Sequence, residues 1–417
     1  MTVQILKTLC VPLLSIFAVV FGTVPNPSLH SLGLSQVAQA SNQQDKAAID
    51  RLAIELMVAK TEGEREALLS SNRDRVSRDL LVSLIYNQFM PNYQSGKLAA
   101  ALTAATLALK VSELTSNKSG LGTSHEYIGK VHFDQNNYSL ALPHFLQSLA
   151  IRKELRQEKE LANSLSLIGL SYHRLGREQL ALDYLQESLV LRENLKLTAD
   201  LAGSYQNLGA IHYAQGNYDA AMEYYHRSLK LLETSPNGPT NQADKADLWF
   251  NIALLHERRG EATQALSAAQ KSLAMQPATA DAGYLAKVLK QVGLAHEYLG
   301  NTDLAFSYYQ QSLATSYRAA SRVPEIEILN HLGQYLERQG KLREASKQYQ
   351  TALNTAQKIE SPASLAQIYN SLGSVNHKLQ NFDLAVNYFQ QSLQISEQLF
   401  RKDEVAETYK NLAALCY

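Results

Sequence analysis

Leu201–Leu232 reads LAGSYQNLGAIHYAQGNYDAAMEYYHRSLKLL, and close copies of its pattern recur along most of the 417-residue chain. With Gly209 as a marker, the equivalent residues are Gly129, Gly169, Ala253, Gly293, Gly333, Gly373 and Ala413. The steps are 40 residues throughout, except for 44 between Gly209 and Ala253. A fixed period of this length signals a stack of like supersecondary units rather than a single globular core.

Within each unit the apolar columns predict two helices. Twelve residues past the marker stand Ala141, Ala181, Ala221, Ala265, Ala305, Ala345 and Ala385, and twenty past it Leu149, Leu189, Leu229, Leu273, Leu313, Leu353 and Leu393. Seven past the marker come Gly176, Gly216, Gly260, Gly300 and Gly340, with Asn136 and Gln380 in the two remaining units. Gly and Asn tolerate the left-handed backbone of a helix end, so the first helix stops there. Asp219, Asp303 and Asp383 follow in the turns, where a carboxylate favours the unpaired N–H groups of a new helix. Small residues at the marker and at the Ala column let two backbones approach closely, and larger ones there would be overpacked by roughly 1–3 kcal/mol. The Leu column is expected to fill the space between units, at about 2–5 kcal/mol for each buried Leu cut back to Ala.

These residues resemble the tetratricopeptide repeat of the long, 40-residue kind found in the kinesin light chain and in many bacterial scaffold and signalling proteins. The match rests on the small residue of the first helix, the turn Gly, the Ala of the second helix, and the aromatics Tyr225, Tyr309, Tyr349 and Phe389, and it covers Thr123 to Tyr417. The closing proline of many shorter repeats survives only as Pro277, and the Trp of the first helix only as Trp249. The resemblance implies an all-α fold, a right-handed superhelical solenoid of antiparallel helix pairs whose inner groove binds a protein or peptide.

Composition sets further bounds. Lys plus Arg and Asp plus Glu both number 39 and the pI is near 7.2, so the basic excess that phosphate neutralisation demands is absent and nucleic acid is not an expected partner. Residues 1–40 read as a signal peptide: Lys7 near the start, an apolar run from Leu9 to Gly22, and Val37-Ala38-Gln39-Ala40 before cleavage. Such a chain is exported to a periplasm or the exterior. The alternative is an uncleaved N-terminal membrane anchor, but the run falls short of the ~20 residues of a spanning helix. After cleavage Cys416 is the sole cysteine, which leaves no internal disulfide.

Residues 41–79 form a helical cap region, with Ile49, Leu52, Ala53, Leu56 and Met57 at helical spacing. Residues 80–118 read as a degenerate first repeat: Phe89 breaks the marker, while Gly96, Ala101 and Leu109 keep the other columns. Pro91 is expected to end or kink its first helix. Seven repeats span 119–403, and the extra residues within Ser235–Asn241 read as a longer turn inside one array. Residues 404–417 form a terminal half-repeat, which caps the array, docks on a partner or a second copy of the chain, or continues in a longer protein.

Candidates for chemistry are few. His132, His212, His256 and His296 form a column three past the marker, but equivalent places in successive units lie about 10 Å apart, too far to share an ion bound at ~2 Å. They read as packing residues, and no metal is expected. The His-Glu pairs at His125, His256 and His296 lack a second His four residues on, where Gly129, Gly260 and Gly300 stand. No phosphate loop or nucleophile elbow is present, so no cofactor is implied and the chain does not read as an enzyme.

The polar arc of the first helix is where binding is expected. It carries Asn207, Asn251, Gln291, Asn330, Asn370 and Asn411, with Glu257, Glu297, Glu337, Arg174, Arg258, Arg338 and Lys378. A carboxamide offers both a donor and an acceptor, so a ladder of them can pair with an extended peptide backbone of any sequence. Asn at such places is similar in kind to the groove residues of the kinesin-light-chain type. Polar residues also face solvent on any amphipathic helix. Two functions follow: an exported adaptor with a protein or peptide in its groove, or the sensing arm of a larger enzyme, for example a protease-like effector, whose catalytic part lies outside this chain.

Overall fold

The computed structural model describes residues 43–234, 239–276, 281–319, 322–359, 361–399 and 401–416. The expected signal peptide lies outside them. The chain divides into two compact units, one ending at Pro236 and one beginning at Asn237. This division falls within the Ser235–Asn241 insertion. Among the described residues every regular element is helical.

The first unit opens with α1 (Gln43–Val58) and α2 (Glu62–Ser71). Thr61 caps α2 in a capping box with Glu64, pairing two otherwise orphaned N–H groups. The first helix of the degenerate repeat is broken into α3 (Arg78–Val82), a π-helical stretch (Ser83–Phe89) and α4 (Met90–Gln94), with α5 (Leu98–Leu114) as its second helix. Pro91 does not end this segment: the wider turns ahead of it, with Met90 N–H donating to the Ile85 carbonyl, take up the strain of a residue without a donor. Three regular pairs follow: α6 (Lys118–Asp134) with α7 (Tyr138–Glu154), α8 (Glu158–Arg174) with α9 (Glu178–Asn194), and α10 (Thr198–Ala214) with α11 (Tyr218–Thr234).

The second unit stacks α12 (Pro239–Arg258) with α13 (Ala262–Ala274), α14 (Ala282–Tyr298) with α15 (Thr302–Arg318), α16 (Arg322–Arg338) with α17 (Leu342–Lys358), and α18 (Pro362–Lys378) with α19 (Phe382–Gln398), then α20 (Lys402–Ala413). Most helices are 17 residues long, whereas α12 has 20, so most of the insertion goes into one extra turn at its start, with Pro239 at the first position, where a missing N–H costs nothing. Short turns make the partners of each pair antiparallel, and the strongest packing in both units is between them. Within each unit this is an all-α repeat array.

The turn after each first helix is a Schellman motif. In α10 the N–H of Asn217 donates to the His212 carbonyl (2.8 Å) and that of Gly216 to Tyr213 (3.0 Å). Gly216 has φ +77°, and Asn136 and Gln380 take φ +61° and +62° at the same place.

The packing rule inside a pair is sharper than small residues alone. A Cβ on Gly209, Gly293, Gly333 or Gly373 would stand 2.4–2.8 Å from the ring of Tyr225, Tyr309, Tyr349 or Phe389, sixteen residues on, and one on Gly129 or Gly169 would meet Phe145 or Leu185. Each large side chain of the second helix thus lies on bare backbone of the first. Where the marker is Ala253 the residue sixteen on is Ala269, and in the degenerate repeat the sizes reverse, Phe89 with Ala105, all of them buried.

The Ala column is buried throughout. The Leu column differs from expectation: Leu189, Leu229 and Leu353 are buried, but Leu149, Leu273, Leu313 and Leu393 are half-buried. The inward direction belongs to the residue just before it, where Ser148, Ser188, Ser228, Ser272, Ser312 and Ser392 are buried. Ser188, Ser228 and Ser392 donate to the carbonyls of Ala162, Ala202 and Ala366 in their own first helix, at 2.7–2.8 Å. A hydroxyl can be buried there because the helix carbonyl has a second lone pair to offer.

The glycine rule predicts opposite effects for one kind of substitution. Gly333→Ala should destabilise the chain by about 1–3 kcal/mol through the clash with Tyr349. Gly203→Ala, in the interior of α10 with nothing within 4 Å of the new carbon, should stabilise it by about 0.5–1 kcal/mol. Urea unfolding of both variants checks this, and shifts of equal sign would contradict it.

A polar lattice along the first helices

In the second unit successive first helices touch one another as well as their second helices. The polar arc therefore does not simply face water. Gln291 and Asn251 are buried, the former donating to Glu257 at 2.7 Å and the latter with an unpaired Nδ2. In the first unit Asn207 is buried as well and Arg174 is exposed at the end of α8. Asn207, Asn251 and Gln291 are thus buried where exposed side chains were expected, because a first helix in an array is covered on several sides whereas a solitary amphipathic helix has one covered side.

The remaining predicted residues form a bonded lattice. Tyr309, the ring that lies on Gly293, donates through its hydroxyl to Glu297 (2.7 Å), and Arg338 of the next unit pairs with the same carboxylate through Nη2 at 2.6 Å. One unit on, Tyr349 donates to Glu337 (2.8 Å), which also accepts from Ser374 (2.8 Å) and pairs with Lys378 (2.9 Å). Burial, reinforced by the neighbouring carboxylates, holds both tyrosine hydroxyls protonated far above their ordinary range. Glu297 and Glu337 are thus spent on internal bonds, while Arg338 and Lys378 remain half exposed. Glu257 is taken by Gln291, and Arg258 stands exposed at the end of α12.

The carboxamides pair across units too. Asn330 accepts from Ser371 (2.9 Å) and Asn370 from Asn411 (3.0 Å). Only oxygens of Asn330 and Asn370 are used, so each keeps an amide donor without a bond among the described residues. Between α16, α18 and α20 the lattice opens into a cleft of about 280 Å³, lined among others by Asn330, His331, Gln334, Asn370, Glu404 and Glu407. Burial, with Lys290 and Arg338 nearby, pushes the His331 imidazole down to about 3, which keeps it neutral, a donor and an acceptor in one ring.

In the first unit the corresponding positions of α6 are taken up by local contacts. Tyr127 stacks on Phe89 with centroids 4.3 Å apart, Glu126 pairs with Lys130 at 2.5 Å, and burial raises Asp134 to about 6. The histidine column packs: His212 and His296 stack on Tyr224 and Tyr308, His132 on His144, and His256 bonds Glu261 at 2.5 Å. The Tyr–Glu link was missed by sequence reasoning, although tyrosine twelve residues after glutamate recurs at a 40-residue step in Glu297/Tyr309 and Glu337/Tyr349.

Stacked helix pairs carrying a polar lattice along their first helices define a helical repeat protein. The chain belongs to the tetratricopeptide repeat family, whose model matches residues 160–234, 198–278, 244–318, 284–358 and 364–417, more than half of its length. Among solved structures it is similar to the apo form of the quorum sensor NprR from B. thuringiensis, at 13% identity and TM-score 0.64, over 85% of this chain and 99% of that one. It is also similar to aspartyl phosphate phosphatase F from Bacillus subtilis, at 15% identity and TM-score 0.56, over 85% and 94%. A third is a signal transduction ATPase with numerous domains and a tetratricopeptide repeat sensor from Pyrococcus horikoshii, at 14% identity and TM-score 0.55, over 92% of this chain and 65% of that one. No curated protein matches the chain in sequence. Among the described residues no helix is long and apolar enough to cross a membrane.

The lowered His331 value carries a pH prediction. A histidine held neutral in the fold contributes fully above its ordinary value near 6.5, and that contribution is lost as pH falls from there towards 3. Wild type should therefore lose stability relative to His331→Gln between pH 7 and pH 4, read from urea midpoints. A constant difference over that range would show that the ring is free to ionise.

Proposed function

We propose that the chain is a non-enzymatic regulatory scaffold that holds an extended segment of a protein or peptide along the first helices of its second unit. The observation that carries this reading is the lattice itself: it fixes Asn330 and Asn370 through their oxygens and leaves their amide donors beside the cleft that Gln334 and His331 also line. Groups already held in place lose little freedom when a ligand binds, and alternating donors and acceptors suit a peptide backbone. The likeness of fold to a quorum sensor and to a repeat sensor is in keeping with a regulatory role.

Both ends of the test use the whole chain. Peptides selected on it from a random display library should lose at least about tenfold in affinity, or ~1.4 kcal/mol, when Asn330 and Asn370 are both replaced by Ala, with little change in melting temperature. Unchanged affinity in the double variant would remove the lattice from the binding site.

Export is part of the same proposal, supported by the apolar run Leu9 to Gly22 and the small residues before Ser41. Mass spectrometry of the native protein should find an N-terminus at Ser41. An intact Met1 in that material would contradict it.

A further inference from the structure

The cleft between α16, α18 and α20 has a charge as well as a shape. Its lining includes two carboxylates, Glu404 and Glu407, and no Lys or Arg. Glu404 is occupied: Arg401 pairs with it, and Gln367 and Ser396 donate to it at 3.1 and 3.3 Å. Glu407 makes no hydrogen bond or ion pair among the described residues, so its carboxylate is available to a ligand. The cations closest to the opposite wall are committed elsewhere, Lys290 to Glu327 at 3.5 Å and Arg338 to Glu297.

An exposed glutamate on a helix is ordinarily just solvated. Here it shares the cleft with His331, a half-buried imidazole that also makes no bond among the described residues. A polar ring in that position needs water or a ligand to satisfy it. The volume of about 280 Å³ lies below the roughly 300–1,000 Å³ of pockets for drug-sized molecules, which fits one side chain and the backbone beside it.

Resting on the groove reading above, we propose that this cleft receives a lysine or arginine side chain of the bound segment, with Glu407 as its counter-charge and His331, Asn330 and Asn370 pairing with the adjacent peptide groups. A carboxylate or phosphate in the same place would face Glu407 with no Lys or Arg in the cleft lining, and the nearby Arg401 is already paired with Glu404. A basic side chain loses little hydration at this half-open site and keeps a hydrogen-bonded partner.

The experiment uses a display library of random peptides with blocked ends, selected on the full chain and then titrated as synthetic peptides. Selected sequences should share a Lys or Arg at one position. Glu407→Gln should weaken such a peptide about tenfold, and Glu407→Arg should turn the preference at that position towards Asp or Glu. Circular dichroism should show both variants as helical as the parent. Peptides that bind and respond to Asn330 and Asn370 but share no basic residue, or that lose less than about twofold on Glu407→Gln, overturn this inference and leave the groove reading standing. A library that yields no binder to the wild-type chain overturns both.

Discussion

One contact sets the geometry on which the rest depends: a large second-helix side chain resting on the bare backbone of the first-helix glycine sixteen residues earlier. At Gly333 the ring carbon of Tyr349 lies 2.4 Å from where a Cβ would be, so with a ring on the second helix the marker has no room for a side chain. The close approach brings the Ser hydroxyls of the second helix within reach of first-helix carbonyls, as for Ser392 and Ala366 at 2.8 Å. It also fixes where the tyrosine hydroxyl emerges. Packing and polar chemistry are therefore one arrangement, because the same ring has its edge against glycine and its oxygen against glutamate.

From that oxygen the lattice runs outward. Tyr309 holds Glu297, Glu297 holds Arg338 of the next unit, and the step repeats through Tyr349, Glu337 and Lys378. Exposed ion pairs are usually worth little. These carboxylates, however, are mostly covered and share a charge-assisted tyrosine bond, so their positions are set before any ligand arrives. The link is not present in every unit: Phe389, which has no hydroxyl, goes with His377 at the matching place, and Tyr225 goes with Tyr213. An internally satisfied lattice explains how a row rich in Glu and Arg presents few unpaired charges, with Glu407 among those left over.

Much of the fold was legible because it depends on residue volume at a fixed period. The markers, the Ala column and the turn glycines are volume and backbone constraints, and these survive in a single sequence. The candidate site was legible only in part. Asn330, Asn370, Glu297 and Glu337 were found, but Asn207, Asn251 and Gln291 are buried, since helical periodicity describes one covered side and cannot say how many neighbours a helix has. His331 went unnoticed because no other unit has histidine at its place, and Glu407 because acidic residues recur there in only some units, as Glu327 and Asp247. The Leu column misled for a related reason: regular recurrence marks a constrained place, and the fully inward one is the Ser beside it.

The most direct measurement is a double-mutant cycle between Gly373 and Phe389, a pair whose ring carries no hydroxyl to complicate the result. Replacing both by Ala recreates the natural Ala253 and Ala269 pair. In the Phe389→Ala background, Gly373→Ala should be neutral or stabilising, although it is costly in wild type, giving a coupling of about 1–3 kcal/mol. An equal cost in both backgrounds would mean that the ring does not set the approach of the two helices, and the account built on that contact would fail.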